Sequence, residues 1–311
     1  MLKKISPYNL IMLSFIGLIV VGALLLMMPF AHTPQKDISF LEALFTATSA
    51  VTVTGLSVID IGATFTIYGK LILLVLIQFG GLGVLTISSV LVLLIAKRIG
   101  FYTKKIVAEG LNHNKSYDIY AVTKRVVYIT LLFEATGALC LFVSFIQDFP
   151  FGKALFLSVF HSVSAFCNAG VSLFPHSFEG YTYNAFVNII IAFLVIFGGL
   201  GFTTIIQAYE YLRKKRRRLD INSQFSILMT IILLVTGTLL FFTLEYKNYY
   251  TLYGKTFFGQ MLISFFHSVS LRTAGFDTIP LEHLSSATIL FCVTFMFIGA
   301  SPNSTGSGVK T

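Results

Sequence analysis

The sequence predicts an all-α integral membrane protein assembled from repeated units, each a membrane span, a re-entrant half-helix and a second span. Three observations carry this. Of the 311 residues, 56% are hydrophobic and 11% charged, and the mean hydropathy is +0.84. A soluble domain cannot solvate such a surface, and apolar runs long enough to cross a bilayer, about 20 residues, recur along the chain. Three stretches are variations on one phrase: LFTATSAVTVTGLSV (44–58), VFHSVSAFCNAGVSL (159–173) and FFHSVSLRTAGFDTI (265–279). In each, an aromatic residue (Phe45, Phe160, Phe266) precedes a serine by four positions (Ser49, Ser164, Ser270), and a glycine follows five or six further on (Gly55, Gly170, Gly275). Finally, the basic residues fall in a few segments between apolar runs.

The apolar run at 10–30 follows Met-Leu-Lys-Lys and, at 21 residues, exceeds a signal-peptide core; no small-x-small cleavage site follows it, so it reads as an uncleaved first span. Further spans are expected at 71–96, 126–146, 185–207 and 225–244, with a sixth starting near Ala287. Between them lie apolar stretches at 40–52, 154–166 and 259–271, each 13 residues and about 20 Å as a helix, too short to cross. The units are therefore 1–112, 113–218 and 219–311, the last incomplete at its second span and a fourth unit absent.

Charge tests this topology. If each half-helix leaves by the side it entered, one face collects Lys3, Lys4, Lys97, Arg98, Lys104, Lys105, Lys115, Lys124, Arg125 and the run at 213–218, which is 15 of the 22 basic residues. Lys36, Lys70, Lys153, Lys247, Lys255 and Arg272 fall on the other face, and Lys310 is left over. The positive-inside rule then places the inter-unit loops and N-terminus on the cytoplasmic side of the cell membrane. The net charge of +9 follows the topology and gives no reason to expect a nucleic-acid partner. The basic run at 213–218 also suits anionic lipid or an acidic partner surface. Cys140, Cys167 and Cys292 have neither disulfide nor metal spacing and read as small packing residues.

A half-helix entering the membrane points its carbonyl end, with its partial negative charge, at the bilayer centre. The residues just before each glycine can then offer backbone carbonyls in place of an ion's water. The expected ion-binding residues are Val53, Thr54 and Gly55; Asn168, Ala169 and Gly170; and Thr273, Ala274 and Gly275. Each second span also carries a break: Gly80-Gly81-Leu82-Gly83, Gly198-Gly199-Leu200-Gly201, and the polar stretch from Gly299 on. The first two suit either close packing or function. The third, with Gly299, Ser301, Pro302, Asn303, Ser304, Thr305, Gly306, Ser307 and Gly308, is too polar to continue a helix. Irregular backbone at that depth lines a cavity or is buried in protein, so it reads as a gate loop beneath the filter.

The triple phrase, the two GGLG segments, RTAGF at 272–276 and the GASPNSTGSGVKT ending resemble the Trk/Ktr/HKT superfamily of potassium-translocating subunits, most closely the bacterial Ktr type. The resemblance covers essentially the whole chain. It implies a potassium-channel-like plan, with four units around a pseudo-fourfold pore axis and one filter glycine from each. Potassium is the implied substrate, sodium a coupling or activating ion, and no cofactor is bound by this chain. The implied partners are a second copy in a homodimer, a cytoplasmic nucleotide-binding RCK-type ring, and membrane lipid. Some plant relatives carry serine at the first filter position, associated with sodium transport; glycine at Gly55, Gly170 and Gly275 implies potassium preference. Two departures stand out: no fourth unit or last-span arginine is present, and Asn303 replaces a small residue common among relatives.

Glu134 falls mid-span, where a carboxylate is a functional candidate or a hydrogen-bond partner for a half-helix terminus. His161 and His267 share one slot in their phrases, filled by Thr46 in the first, which favours hydrogen-bonded packing. Arg272 sits at the filter's edge and is expected to brace that loop. The alternative functions are a membrane enzyme using Glu134, His161 and His267, or an inactive transporter fragment. No HExxH-like spacing supports the enzyme, and catalysis needs unlike groups converging once rather than a repeated residue.

Overall fold

The computed structural model describes residues 7–34, 36–95, 119–214, 217–306 and 308. Lys3, Lys4, Lys97, Arg98, Lys104, Lys105, Lys115, Lys215, Arg216, Ser307 and Lys310, named above for topology and for the gate loop, lie outside these. The described residues form helices and loops with no strand.

The first helix group comprises α1 (Pro7–Leu26), α2 (Phe40–Thr52), the single turn α3 (Ile61–Thr64) and α4 (Ile67–Ile95). The second comprises α5 (Ile119–Phe145), α6 (Phe151–Phe166), α7 (Ala185–Leu200) and α8 (Phe202–Leu212). The third comprises α9 (Ile221–Glu245), α10 (Phe257–Ser270) and α11 (Ser286–Phe297). In each, the short helix packs on the long helix before it, and groups one and two, and two and three, pack against each other.

Local sequence explains the short helices. Ser39 opens α2 with a capping box, accepting from Glu42 N at 3.3 Å while the Glu42 carboxylate accepts from Ser39 N at 2.8 Å. Thr256 caps α10 through Gly259 N at 3.3 Å. At the far end, the chain leaves α2 through Val53 in the left-handed region (φ 55, ψ 48), whose N–H bonds Ser49 O.

Among the described residues α5 and α9 are long and apolar enough to span a membrane, and α7 with α8 counts as a third if the pair is one broken span. Burial on α9 is inverted relative to a soluble helix. Ser223, Ser226, Thr230, Gly237 and Glu245 face inward, whereas Phe225, Leu228, Ile231, Val235 and Leu239 are exposed. An apolar outer face and a partly polar inner one suit lipid as solvent.

The first span ends earlier than expected, and the two glycine breaks fall where the sequence placed them. The first helix stops at Leu26, with turns in place of the last residues of 10–30. Gly83 interrupts α4 with φ 73 and ψ 175. The span expected at 185–207 is two helices meeting at 99°, because Gly201 (φ 88, ψ 135) takes a backbone conformation that a side chain would oppose.

Candidate ion site and its gate loop

The three phrase glycines meet. A methyl group placed on Gly55 would lie 2.7 Å from Ala169 O and 3.4 Å from the Gly170 Cα. One on Gly170 would lie 2.4 Å from Ala274 O, and one on Gly275 would lie 3.3 Å from the Gly170 Cα and 3.9 Å from the Gly55 Cα. Residues 105 to 220 positions apart thus converge, and no Cβ fits between them.

Each loop reaches its glycine in the same way. Val53, Asn168 and Thr273, two residues before, have φ of 55, 56 and 66, and the glycines have φ of 81, 65 and 80. Three non-glycine residues at positive φ, each in the same place, mark backbone that the surroundings impose. The third loop is one residue shorter, and the difference is absorbed at the helix end. The residue before each glycine bonds the serine carbonyl: Thr54 N to Ser49 O (2.9 Å), Ala169 N to Ser164 O (2.8 Å) and Ala274 N to Ser270 O (2.9 Å), with Val53 N also on Ser49 O and Gly275 N also on Ser270 O (3.4 Å). Counted from the glycine, the loops stay in register.

The outgoing strands are held to their own short helices. Ser164 Oγ donates to Val171 O at 2.7 Å, and Ser270 Oγ donates to Phe276 O, in each case the carbonyl just after the glycine. These serines were visible only as part of the repeated phrase; the brace itself was not read from sequence. His161 works alongside: its Nδ1 donates to Leu157 O (2.8 Å), and its Nε2 accepts from Leu173 N (3.2 Å) while the ring stacks on Phe174. His267 stacks on Phe241 and pairs with the Thr278 hydroxyl at 3.4 Å. Both histidines are buried packing residues within separate short helices. Among the described residues no group of His, Cys, Asp or Glu can hold a metal.

Arg272 is 3% exposed at the end of α10; its backbone N–H bonds Val269 O at 3.2 Å, and its Nε and Nη2 have no partner among the described residues. Glu134 is equally buried and carries a half-helix contact: Cys167 Sγ lies 3.8 Å from its Oε1.

The loop from Gly299 lies against the second group. Ser301 N bonds Gly199 O (3.0 Å), Thr305 N bonds Gly198 O (3.1 Å), and Phe202 N bonds Asn303 O (2.9 Å). Thr305 Oγ1 donates to Phe166 O at 2.9 Å, the carbonyl closing α6. Ser304 Oγ donates to Ser301 O, folding the loop on itself around Pro302. A methyl on Gly306 would lie 2.9 Å from the Thr273 hydroxyl and 3.0 Å from the Asn168 amide, and one on Gly308 would lie 3.4 Å from the Thr273 methyl. The Asn168 amide nitrogen donates to Ala165 O and Val195 O, both at 3.2 Å. The polar stretch therefore sits directly beside residues that flank the converging glycines.

With three short helices leading to one cluster of glycines and an irregular loop beside it, the chain can be set against known proteins. The family of TrkH cation transport proteins matches residues 5–311. The chain belongs to that family. It is 38% identical over 302 residues to Ktr system potassium uptake protein B of Vibrio alginolyticus, covering 97% of this chain and 66% of that protein. It is 35% identical over 308 residues to the Bacillus subtilis protein of the same name, covering 99% and 68%. The crystal structure of the potassium transporter TrkH from Vibrio parahaemolyticus superposes with a TM-score of 0.73 at 22% identity, covering 99% of this chain and 60% of that one, a likeness of fold. The chain thus spans about two thirds of the length of the curated relatives it matches. Membership of a family of membrane transport proteins removes the enzyme reading of Glu134, His161 and His267.

Proposed function

We propose that the chain is the larger part of a potassium-translocating subunit of the cell membrane. In this reading the three helix groups are repeating units at 1–112, 113–218 and 219–311, and a fourth unit completes the ring around a pseudo-fourfold axis. The observation that carries it is the mutual approach of Gly55, Gly170 and Gly275 at the ends of three half-helices. Each half-helix directs about half a negative charge at that point, which favours a cation without any buried carboxylate. The repeated positive-φ residue two before each glycine supports a filter in which carbonyls of Val53, Thr54, Gly55, Asn168, Ala169, Gly170, Thr273, Ala274 and Gly275 replace the ion's water.

The loop at 299–308 serves as the gate, since it lies beside Asn168 and Thr273 and is held by hydrogen bonds rather than by helix. Glycine at all three filter positions favours potassium over sodium, with sodium acting as a coupling or activating ion. The relatives' names place them in potassium uptake systems, which supports the same substrate here. Assembly as a homodimer on a cytoplasmic nucleotide-binding RCK-type ring belongs to the same proposal. The basic segments Lys124–Arg125 and 213–218 then face the cytoplasm with the N-terminus, near anionic lipid or that ring.

The test is uptake by a potassium-uptake-deficient bacterium expressing the full-length coding sequence that contains these residues. It should restore growth at low potassium, and Gly55→Ser should lower the potassium-to-sodium flux ratio by about tenfold, because a Cβ there meets Ala169 O. No uptake by the parent, or an unchanged ratio in a normally expressed variant, would sink the assignment.

A further inference from the structure

We infer that Glu134 is a positioning residue for the filter: its carboxyl pins the second loop against the first helix group and thereby sets selectivity. The inference rests on the transport reading above.

The argument begins with what the helix groups share. A methyl on Gly137 would lie 2.5 Å from Ser162 Oγ, and one on Gly237 would lie 2.3 Å from Ser268 Oγ. These are the same crossing of long and short helix in groups two and three. In both, the serine donates to the carbonyl three residues before the glycine: Ser162 Oγ to Glu134 O at 2.7 Å, and Ser268 Oγ to Leu234 O at 3.0 Å. The first group crosses at Gly22 beside Ala47, and the residue three before is Ile19. One structural position thus carries Ile19, Glu134 and Leu234. Two groups build this crossing around an aliphatic side chain, so the crossing itself needs no carboxyl.

What the carboxyl does touch is specific to the second group. The Cys167 thiol donates to it across 3.8 Å. Cys167 is the residue before Asn168, the positive-φ residue of the second loop. The thiol is also hemmed in from the other side, since a methyl on Gly81 would lie 2.4 Å from its sulfur. Glu134 on one side and Gly81 of the first group on the other together fix Cys167 at the seam of two groups, and with it the start of the second loop. A carboxyl that is 6% exposed is costly to keep unless it supplies geometry. Discrimination by carbonyls depends on their spacing and stiffness, so a tether one residue from the filter acts on selectivity.

The test compares Glu134→Leu, which copies the third group's own residue, with Glu134→Gln and Cys167→Ala in the full-length protein. Potassium and sodium fluxes are measured per molecule in the membrane. Glu134→Leu should lower the flux ratio by about fivefold or more, Glu134→Gln by less, and Cys167→Ala added to Glu134→Leu should change the ratio little further, because the two act as one unit. An unchanged ratio in Glu134→Leu would overturn the inference and make the carboxyl a packing residue. Failure of both Glu134 variants to accumulate would overturn it too, by making the group a requirement of folding. If the parent itself carries no potassium, the transport reading fails along with it; if the parent is selective and the variants match it, only the role of Glu134 fails.

Discussion

The second and third helix groups meet the same problem, how to interrupt an apolar stretch near the converging glycines, and solve it differently. At 198–201 the chain uses glycine with one leucine, and the helix bends by 99° and resumes at Phe202. At 299–308 it uses glycine with serine, proline, asparagine and threonine, and the described residues there form turns and bends instead of helix. Glycine frees the backbone locally but leaves an apolar helix worth reforming on the other side. Serine, threonine and asparagine offer side-chain partners to the backbone, and Pro302 removes a donor, so the polar stretch satisfies itself outside a helix. The two breaks are also complementary. The bend leaves Gly198 O and Gly199 O free of helical partners, and the loop's Thr305 N and Ser301 N take them. One break is a socket and the other its plug.

The largest effect expected from disturbing this pair is at Gly198. A Cβ there would sit 1.9 Å from Phe166 O and 2.9 Å from Thr305 Oγ1, so Gly198→Ala must displace either the end of α6 or the loop. It should cost about 3 kcal/mol or more, seen as loss of the protein from the membrane or a greater than about tenfold loss of flux. Normal levels and normal flux would mean that the bend and α6 are not in contact in the working protein.

Next comes the plug itself. Deleting part of 299–308 in the full-length protein should raise potassium flux by about tenfold if the loop obstructs the path, and a folded deletion with equal or lower flux would remove its gating role. Gly201→Ala is the subtler version. Its Cβ meets Pro302 O at 2.4 Å, and φ of 88 disfavours any side chain, at a cost of about 1–3 kcal/mol. Gly83→Ala is the control, with φ of 73 but nothing within 4 Å, and should cost only about 1 kcal/mol. A larger flux change in the control than in Gly201→Ala would show that strain, and not contact with the loop, governs the gate. Thr305→Val should follow, raising flux about two- to fivefold by losing about 1 kcal/mol of hydrogen bonding to Phe166 O.

How much of this could be read beforehand depended on whether the signal was local. The first short helix was expected at 40–52 and occupies Phe40–Thr52, because Ser39 with Glu42 starts it and apolar length bounds it. The glycines were legible because only glycine suits their backbone, and the repetition gave them weight. Val53, Asn168 and Thr273 were named as filter residues, but their positive φ was hidden, since no side chain among Val, Asn and Thr announces it. The break at 198–201 was visible and its 99° turn was not, because glycine marks where a helix yields and neighbours decide the direction. The socket and plug pair residues about 100 apart, such as Phe202 and Asn303, and no local pattern encodes that. The same holds for Cys167, which sits between Glu134 and Gly81 of another helix group.

The smallest effect separates the first loop from the other two. Ser49, Ser164 and Ser270 hold one position in the phrase, but only the last two brace a carbonyl, Val171 O and Phe276 O. The Ser49 hydroxyl is buried with no partner among the described residues. Replacing a satisfied buried hydroxyl by hydrogen leaves the carbonyl it served unpaired, at about 1–2 kcal/mol, whereas removing an unsatisfied one relieves a desolvated group. Ser164→Ala and Ser270→Ala should therefore lower thermal stability by a few degrees and loosen discrimination between potassium and sodium, while Ser49→Ala should leave stability equal or slightly raised. Thermal unfolding in detergent together with flux ratios would decide it. Equal losses for all three would mean that the first loop is braced like the others when the pore is complete, and that its difference belongs to this part of the chain alone.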